Sequence, residues 1–222
     1  MATLHDFTDA ELADLNDRME GRPPSEIIEW AVEAFSPHLL LATSMTDAVL
    51  IDLAVKVDPA IEVMFIDTGY HFPETLETLA VVRRRYGLNL RLMTPVPQDE
   101  ELWRKDPEMC CSMLKVNELE RALAGKRAWM SGLRRTETPE RATAPVVGLD
   151  ARGLVKVNPI ATWSDEDVSR YIDEHGVPVN PLLARGYPSI GCMPCTQPVA
   201  TGDDPRAGRW AGLDKTECGL HR

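Results

Sequence analysis

Five cysteines carry the chemistry to be expected of this chain, and they fall in a 2+2+1 pattern. Cys110 and Cys111 are adjacent, Cys192 and Cys195 form a C-x-x-C within GCMPC, and Cys218 stands alone in KTECGLHR. Four soft sulfur donors are the number and kind that hold a metal ion or an iron–sulfur cluster. Adjacent residues on a helix point about 100° apart, which suits ligands to two different iron atoms better than two ligands to one zinc. Zinc stays open, because C-x-x-C is common in four-cysteine zinc sites. A thioredoxin-like redox pair fits less well, since that motif opens a helix and here Thr196-Gln197-Pro198 follows it. Cys218 is the thiol left over, with Lys215, His221 and Arg222 near it in sequence and Glu217 opposing them. Cationic neighbours raise the fraction of thiolate, which is the nucleophile. A ligand set plus a free thiol predicts a redox or thiol-transfer enzyme whose terminal thiol rides on a mobile tail.

The elements that must position these residues alternate. Thr8-Asp9-Ala10-Glu11 reads as a capping box for a first helix, and Pro23-Pro24-Ser25 precedes a second that ends near Phe35. Residues 38–42, 61–66 and 90–93 read as buried strands, with helical spacing over 47–57 and over 74–86 up to Gly87. A helix is predicted over 111–123, strands over 128–131 and 154–157, and a helix over 164–174 opened by Ser164 and closed by Gly176. This order predicts an α/β fold: an open, mostly parallel sheet with helices on both faces. From Val177 onward, proline and glycine dominate, so 177–222 reads as loops organised by the cysteine site plus the tail. The whole of 1–222 reads as one domain, with 1–36 as N-terminal helices.

Ligands bind such sheets at the carboxyl ends of the strands. Thr43, Ser44 and Thr46 follow the first strand and offer hydroxyls and amides to an anion at the start of the next helix, without the glycines of a Walker A or Rossmann loop. Asp67-Thr68-Gly69 follows the second strand and reads either as a ligand-facing turn or as a plain helix cap. The net charge of −11 argues against general nucleic-acid binding, while Arg134-Arg135, Arg141, Arg206, Arg209 and Lys215 leave room for a small anion. Arg83-Arg84-Arg85 precedes a helix end and reads as a solvated last turn. No apolar run reaches membrane-spanning length, and MATLHDFTDAEL is no secretory leader, so a cytoplasmic protein with reduced thiols is expected.

Taken together, Asp67-Thr68-Gly69-Tyr70-His71-Phe72, Cys110-Cys111 with Lys115, Trp129 with Ser131-Gly132-Leu133-Arg134-Arg135, Arg141, GCMPCT, Arg206-Ala207-Gly208-Arg209-Trp210 and the terminal ECGLH resemble the assimilatory adenylyl-sulfate (APS) reductases, the iron–sulfur branch of the APS/PAPS reductase family. The resemblance spans roughly residues 38 to 222. It implies an adenine-nucleotide α-hydrolase-like fold and a [4Fe–4S] cluster on Cys110, Cys111, Cys192 and Cys195. It implies that Cys218 attacks the sulfur of APS, and that thioredoxin or a similar thiol reductant then releases sulfite. Thr43 and Ser44 fall in the loop facing the phosphosulfate, and Ile66, Asp67, Thr68 and Gly69 in the adenosine-contacting stretch. Gly132, Arg134, Lys115, Arg141, Arg206, Arg209 and His221 fall at positions facing substrate or the cluster. The first loop departs from the family's pattern, with Ala42-Thr43-Ser44-Met45-Thr46 keeping hydroxyls but no glycine. A reductase of the 3′-phosphorylated substrate PAPS, a nucleotide-dependent sulfurtransferase and a structural zinc protein are the alternatives. No nucleic acid or membrane is expected as a partner, and a homo-oligomer is left open.

Overall fold

The computed structural model describes residues 7–96, 99–213 and 215–221. Arg222, counted above among the cations near Cys218, and the first six residues of the N-terminal helical segment lie outside them. The N-terminal helices are α1 (Asp9–Met19) and α2 (Pro24–Phe35), and Thr8 and Glu11 form the expected capping box. They lead into β1 (Leu39–Thr43), α3 (Val49–Val57), β2 (Glu62–Ile66), α4 (Pro73–Tyr86) and β3 (Asn89–Met93). Two short helices follow, α5 (Leu102–Lys105) and α6 (Pro107–Cys111). Ser112–Val116 is a π-helical turn that continues into α7 (Asn117–Leu123). Then come β4 (Ala128–Ser131), β5 (Val147–Leu149), β6 (Val155–Val157) and α8 (Asp165–His175). Beyond Gly176 the described residues form no helix longer than a 3-10 turn and no strand beyond the single bridges Asp47–Val179 and Thr196–Arg209, as the proline and glycine content predicts.

The six strands are ordered β3-β2-β1-β4-β6-β5. All neighbours are parallel except β5 on β6. The antiparallel edge β5 is not anticipated by the sequence reading: three residues are too short to show a period. Strand alternation sorts the core. Leu39, Leu41, Val63, Phe65, Met130 and Val157 point to the face covered by α2, α3 and α4. Leu40, Met64, Ile66 and Trp129 point to the other face, beneath Leu119, Ala122 and Leu123 of α7 and Leu220 of the tail. The chain therefore covers both faces, and its last residues serve as part of one cover.

The strand order reverses between β1 and β4, which opens the ligand-binding crevice at their carboxyl ends. Ala42 pairs with Ser131 across that junction, so Thr43 and Gly132 are the next residues on either side of it.

Candidate active site

The loop after β1 is shaped from a distance. Met45 takes the left-handed conformation at φ 60° and is fully buried, which costs a non-glycine residue of order 1 kcal/mol. Asn180, also fully buried, holds it: its Nδ2 donates to the Met45 carbonyl at 3.2 Å and to Thr75 Oγ1 at 3.0 Å, and its amide donates to the Thr46 carbonyl. Asn180→Ala is expected to cost about 3 kcal/mol in urea unfolding, because it strands buried acceptors. The same restraint changes the anion site expected here. Helix α3 begins at Val49, two residues later than predicted, and Asp47 Oδ1 already accepts from the Val49 amide at 3.0 Å. Burial pushes the Asp47 carboxyl up. What remains for a ligand is the exposed Ser44 hydroxyl, 3.3 Å from Thr46 Oγ1, with Thr43 beside it.

The loop after β2 is a turn in which Asp67 Oδ1 accepts from the Gly69 amide at 3.0 Å, with Gly69 at φ 75°. Asp67 thus caps its own turn; α4 starts later, after Phe72. The Ile66 carbonyl accepts from His71 Nε2 at 2.8 Å. Thr68 is buried, its hydroxyl 3.3 Å from Cys192 Sγ, so it faces the cysteines.

Cys110, Cys111, Cys192 and Cys195 line one pocket together with Thr68, Tyr70, Trp103, Lys115 and Trp210. None of the five cysteines is in a disulfide. Cys110 and Cys111 end α6, and the π turn that follows carries Lys115 into the same pocket; π turns concentrate at functional sites. The C-x-x-C is clamped from both sides. The Met193 amide donates to the Tyr70 carbonyl at 2.7 Å, and the Trp210 amide to the Cys195 carbonyl at 3.0 Å. A Cβ on Gly208 would overlap the Gln197 carbonyl oxygen, and one on Gly191 the Arg209 guanidinium, so both glycines are needed for this close approach. Burial, then the Cys111, Cys192 and Cys195 sulfurs, push the Cys110 thiol up to about 11. Burial pulls the Lys115 ammonium down, but the sulfurs of Cys192, Cys218 and Cys111 outweigh it and hold Lys115 well above the ordinary lysine range. Among the described residues, no three His, Cys, Asp or Glu side chains converge on a point where one metal ion could be held.

Trp210, which the sequence reading did not single out as a site residue, gathers cations. It is buried at φ 50°, with Arg209, Lys215 and Arg206 at 4.5, 5.5 and 5.9 Å from its ring. Its signal was the aromatic following two arginines in RAGRW. Arg209 donates to Ser189 Oγ, while its buried Nε has no partner among the described residues.

The tail is docked against the body. Glu217 accepts two bonds of 2.7 Å from Arg141, and Arg206 lies 3.4 Å from the same carboxylate while donating to the Thr216 carbonyl. Cys218 follows, half-buried. The structure therefore brings Cys218, Lys115, Arg141, Arg206 and the four paired cysteines into one region. Arg134 instead pairs with Asp165 at 2.6 Å, and His221, three residues after Cys218, lies on Trp129.

Residues 36–198 match the phosphoadenosine phosphosulfate reductase domain family. An adenosine 5′-phosphosulfate reductase of Mycolicibacterium smegmatis is 48% identical, covering 100% of this chain and 99% of its own. One of Streptomyces coelicolor is also 48% identical, covering 99% of each chain. A phosphoadenylyl-sulfate reductase crystal structure from Candida auris, a phosphate complex, superposes with a TM-score of 0.77 at 30% identity, covering 88% of this chain and 99% of that one.

Proposed function

Because the chain belongs to the phosphoadenosine phosphosulfate reductase family and acts as an adenosine 5′-phosphosulfate (APS) reductase of assimilatory sulfate reduction, we propose that Cys218 is its nucleophile and that the loops after β1, β2 and β4 hold the nucleotide. The Cys218 thiolate attacks the sulfur of APS, the S–O bond to the phosphate breaks, and AMP leaves with the electron pair. The sulfonate is then on Cys218 as S-sulfocysteine. A thiol of thioredoxin or a similar reductant attacks Cys218 Sγ, releases sulfite and leaves a mixed disulfide that a second thiol resolves. One observation carries this reading: Cys218 lies in the field of Lys115 and next to the Arg141–Arg206 pair, the cations suited to the charge that develops on the departing phosphate.

Arg141 grips the Glu217 carboxylate with two bonds and Arg206 lies against the same carboxylate; planar guanidinium forks of this kind also suit the oxyanions of a phosphosulfate. Arg209, with its unpartnered Nε, is a further donor toward the same region. Thr43, Ser44 and Gly132 flank the crevice, and Ile66, Asp67 and Gly69 line its β2 side. Arg134 contributes at longer range.

The donor set of Cys110, Cys111, Cys192 and Cys195 fits a [4Fe–4S] cluster: four free thiols share one pocket wall, and burial raises the Cys110, Cys111 and Cys195 thiols above their ordinary range. When bound, such a cluster would supply local charge to this pocket. The Thr68 hydroxyl meets the Cys192 sulfur, and Lys115, which lines the same pocket, is held charged by the Cys192 and Cys111 sulfurs. Five free thiols suit the reducing cytoplasm.

Intact-mass analysis after adding APS without reductant tests the chemistry. The expected result is a single sulfonate adduct mapped to Cys218. Stoichiometric AMP release with no adduct at Cys218 would remove the covalent step.

A further inference from the structure

Two anchors bracket Cys218. Glu217 on Arg141 is one residue before the thiol. The second is three residues after it and is built from the sheet itself. His221 stacks on Trp129 with ring centroids 6.1 Å apart and planes within 13°. Its Nδ1 is 3.3 Å from Lys156 Nζ. Trp129 and Lys156 are cross-strand partners in the β4–β6 register, so their side chains stand together on one face. Lys156 Nζ sits 4.8 Å from the centre of the indole. The indole is fixed from its other edge, where Nε1 donates to Asp150 Oδ2 at 2.9 Å. Asp150 in turn accepts from the amides of Arg152 and Leu154 and from the Arg152 guanidinium. Leu220 packs beside this wall.

The chemistry of the seat selects what sits in it. Lys156 is only 8% exposed, and among the described residues its ammonium pairs with no carboxylate; the acceptor it meets is His221. A buried ammonium without an acceptor is costly. Burial, and after it Lys156, Arg141, Arg206 and Arg152, keep the His221 imidazole neutral, so one ring nitrogen is free to accept. A flat ring with an acceptor nitrogen meets both demands, stacking on the indole and accepting from Lys156. Leucine or phenylalanine at 221 would meet at most one.

We propose that Trp129 and Lys156 form a seat for His221 that fixes the register of the C-terminal tail and thereby the position of the Cys218 thiol. Lys156 is a positioning residue, acting through His221. Its relevance to sulfonate transfer rests on Cys218 being the nucleophile, but the seat itself can be tested without substrate.

The test is alkylation of Cys218 by iodoacetamide in the full-length holoenzyme, read by peptide mass, for wild type, Lys156→Met, His221→Ala and the double variant. Each single variant is expected to alkylate about tenfold faster, the loss of one charged hydrogen bond. The double variant should be no faster than the singles, because they remove one interaction. The thermal midpoint of His221→Ala should stay that of wild type while formation of the Cys218 adduct slows, a split that general loss of structure would not produce. Alkylation within twofold of wild type in His221→Ala, whose site near the terminus leaves the sheet intact, would overturn the proposal even if Lys156→Met failed to fold. So would single effects that multiply in the double variant. Absence of a sulfonate adduct in wild type would instead strike the assignment of the nucleophile, leaving the alkylation rates to judge the seat.

Discussion

Cys218→Ser is expected, on the proposed covalent mechanism, to abolish sulfite release, with a loss of about 10⁴-fold or more in turnover, while AMP affinity and iron content stay as in wild type. The separation follows from the geometry. Cys218 sits beyond the C-x-x-C and is not among the residues lining the four-cysteine pocket. Its neighbours in the chain are tied down independently, Glu217 by Arg141 and His221 by Trp129 and Lys156. Exchanging sulfur for oxygen alters neither anchor, so the tail should dock as before. The hydroxyl is a far weaker nucleophile at neutral pH, and neither Glu217, engaged by Arg141 and Arg206, nor His221, which accepts from Lys156, is free to take its proton. A sulfite assay together with isothermal titration of AMP reads both halves. Retained turnover would take Cys218 out of the mechanism.

How much of this was legible in the chain depends on how local the cause is. The strand–helix alternation, the capping boxes at Thr8 and Ser164 and the helix stops at Gly87 and Gly176 were all read correctly, because each is decided within a few residues. The ionic last turn of α4 also behaves as expected, with Arg85 donating to the carbonyls of His175 and Gly176 at the end of α8. The predicted helix over 111–123 begins at Pro107 and contains a π turn. A π turn leaves no mark in side-chain periodicity over five residues, so it could not be seen beforehand. Asn180 was invisible for another reason: it acts on Met45 across 135 residues. The docking contacts of the tail are not legible in the sequence, since Arg141, Trp129 and Lys156 are brought near it only by the sheet. The cysteines were legible because four sulfur donors and one spare are unusual in themselves, whatever the fold around them.

Lys115→Met is expected to lower kcat/KM about 10²–10³-fold, the effect of removing one charge aimed at a developing oxyanion, with little change in stability. Methionine keeps most of the apolar stem, so packing under the π turn survives and the charge alone is lost. The position makes the charge count. The sulfurs of Cys192, Cys218 and Cys111 all act on the Lys115 ammonium and outweigh the burial that would neutralise it. Because its titration is moved upward, the ammonium persists across pH 7 to 9, so the pH–rate profile in that range should show no limb belonging to Lys115. Two roles are separable by experiment. If the cation stabilises the transferring group, formation of the Cys218 adduct slows while AMP affinity holds. If it serves chiefly to balance the charge of the cluster, the adduct forms at the normal rate and the cluster is lost more quickly on exposure to air. The charge coupling of Lys115 to Cys218 as well as to Cys192 and Cys111 favours the first outcome on the proposed mechanism; unchanged adduct kinetics in a variant with wild-type iron content would leave that charge without a catalytic use.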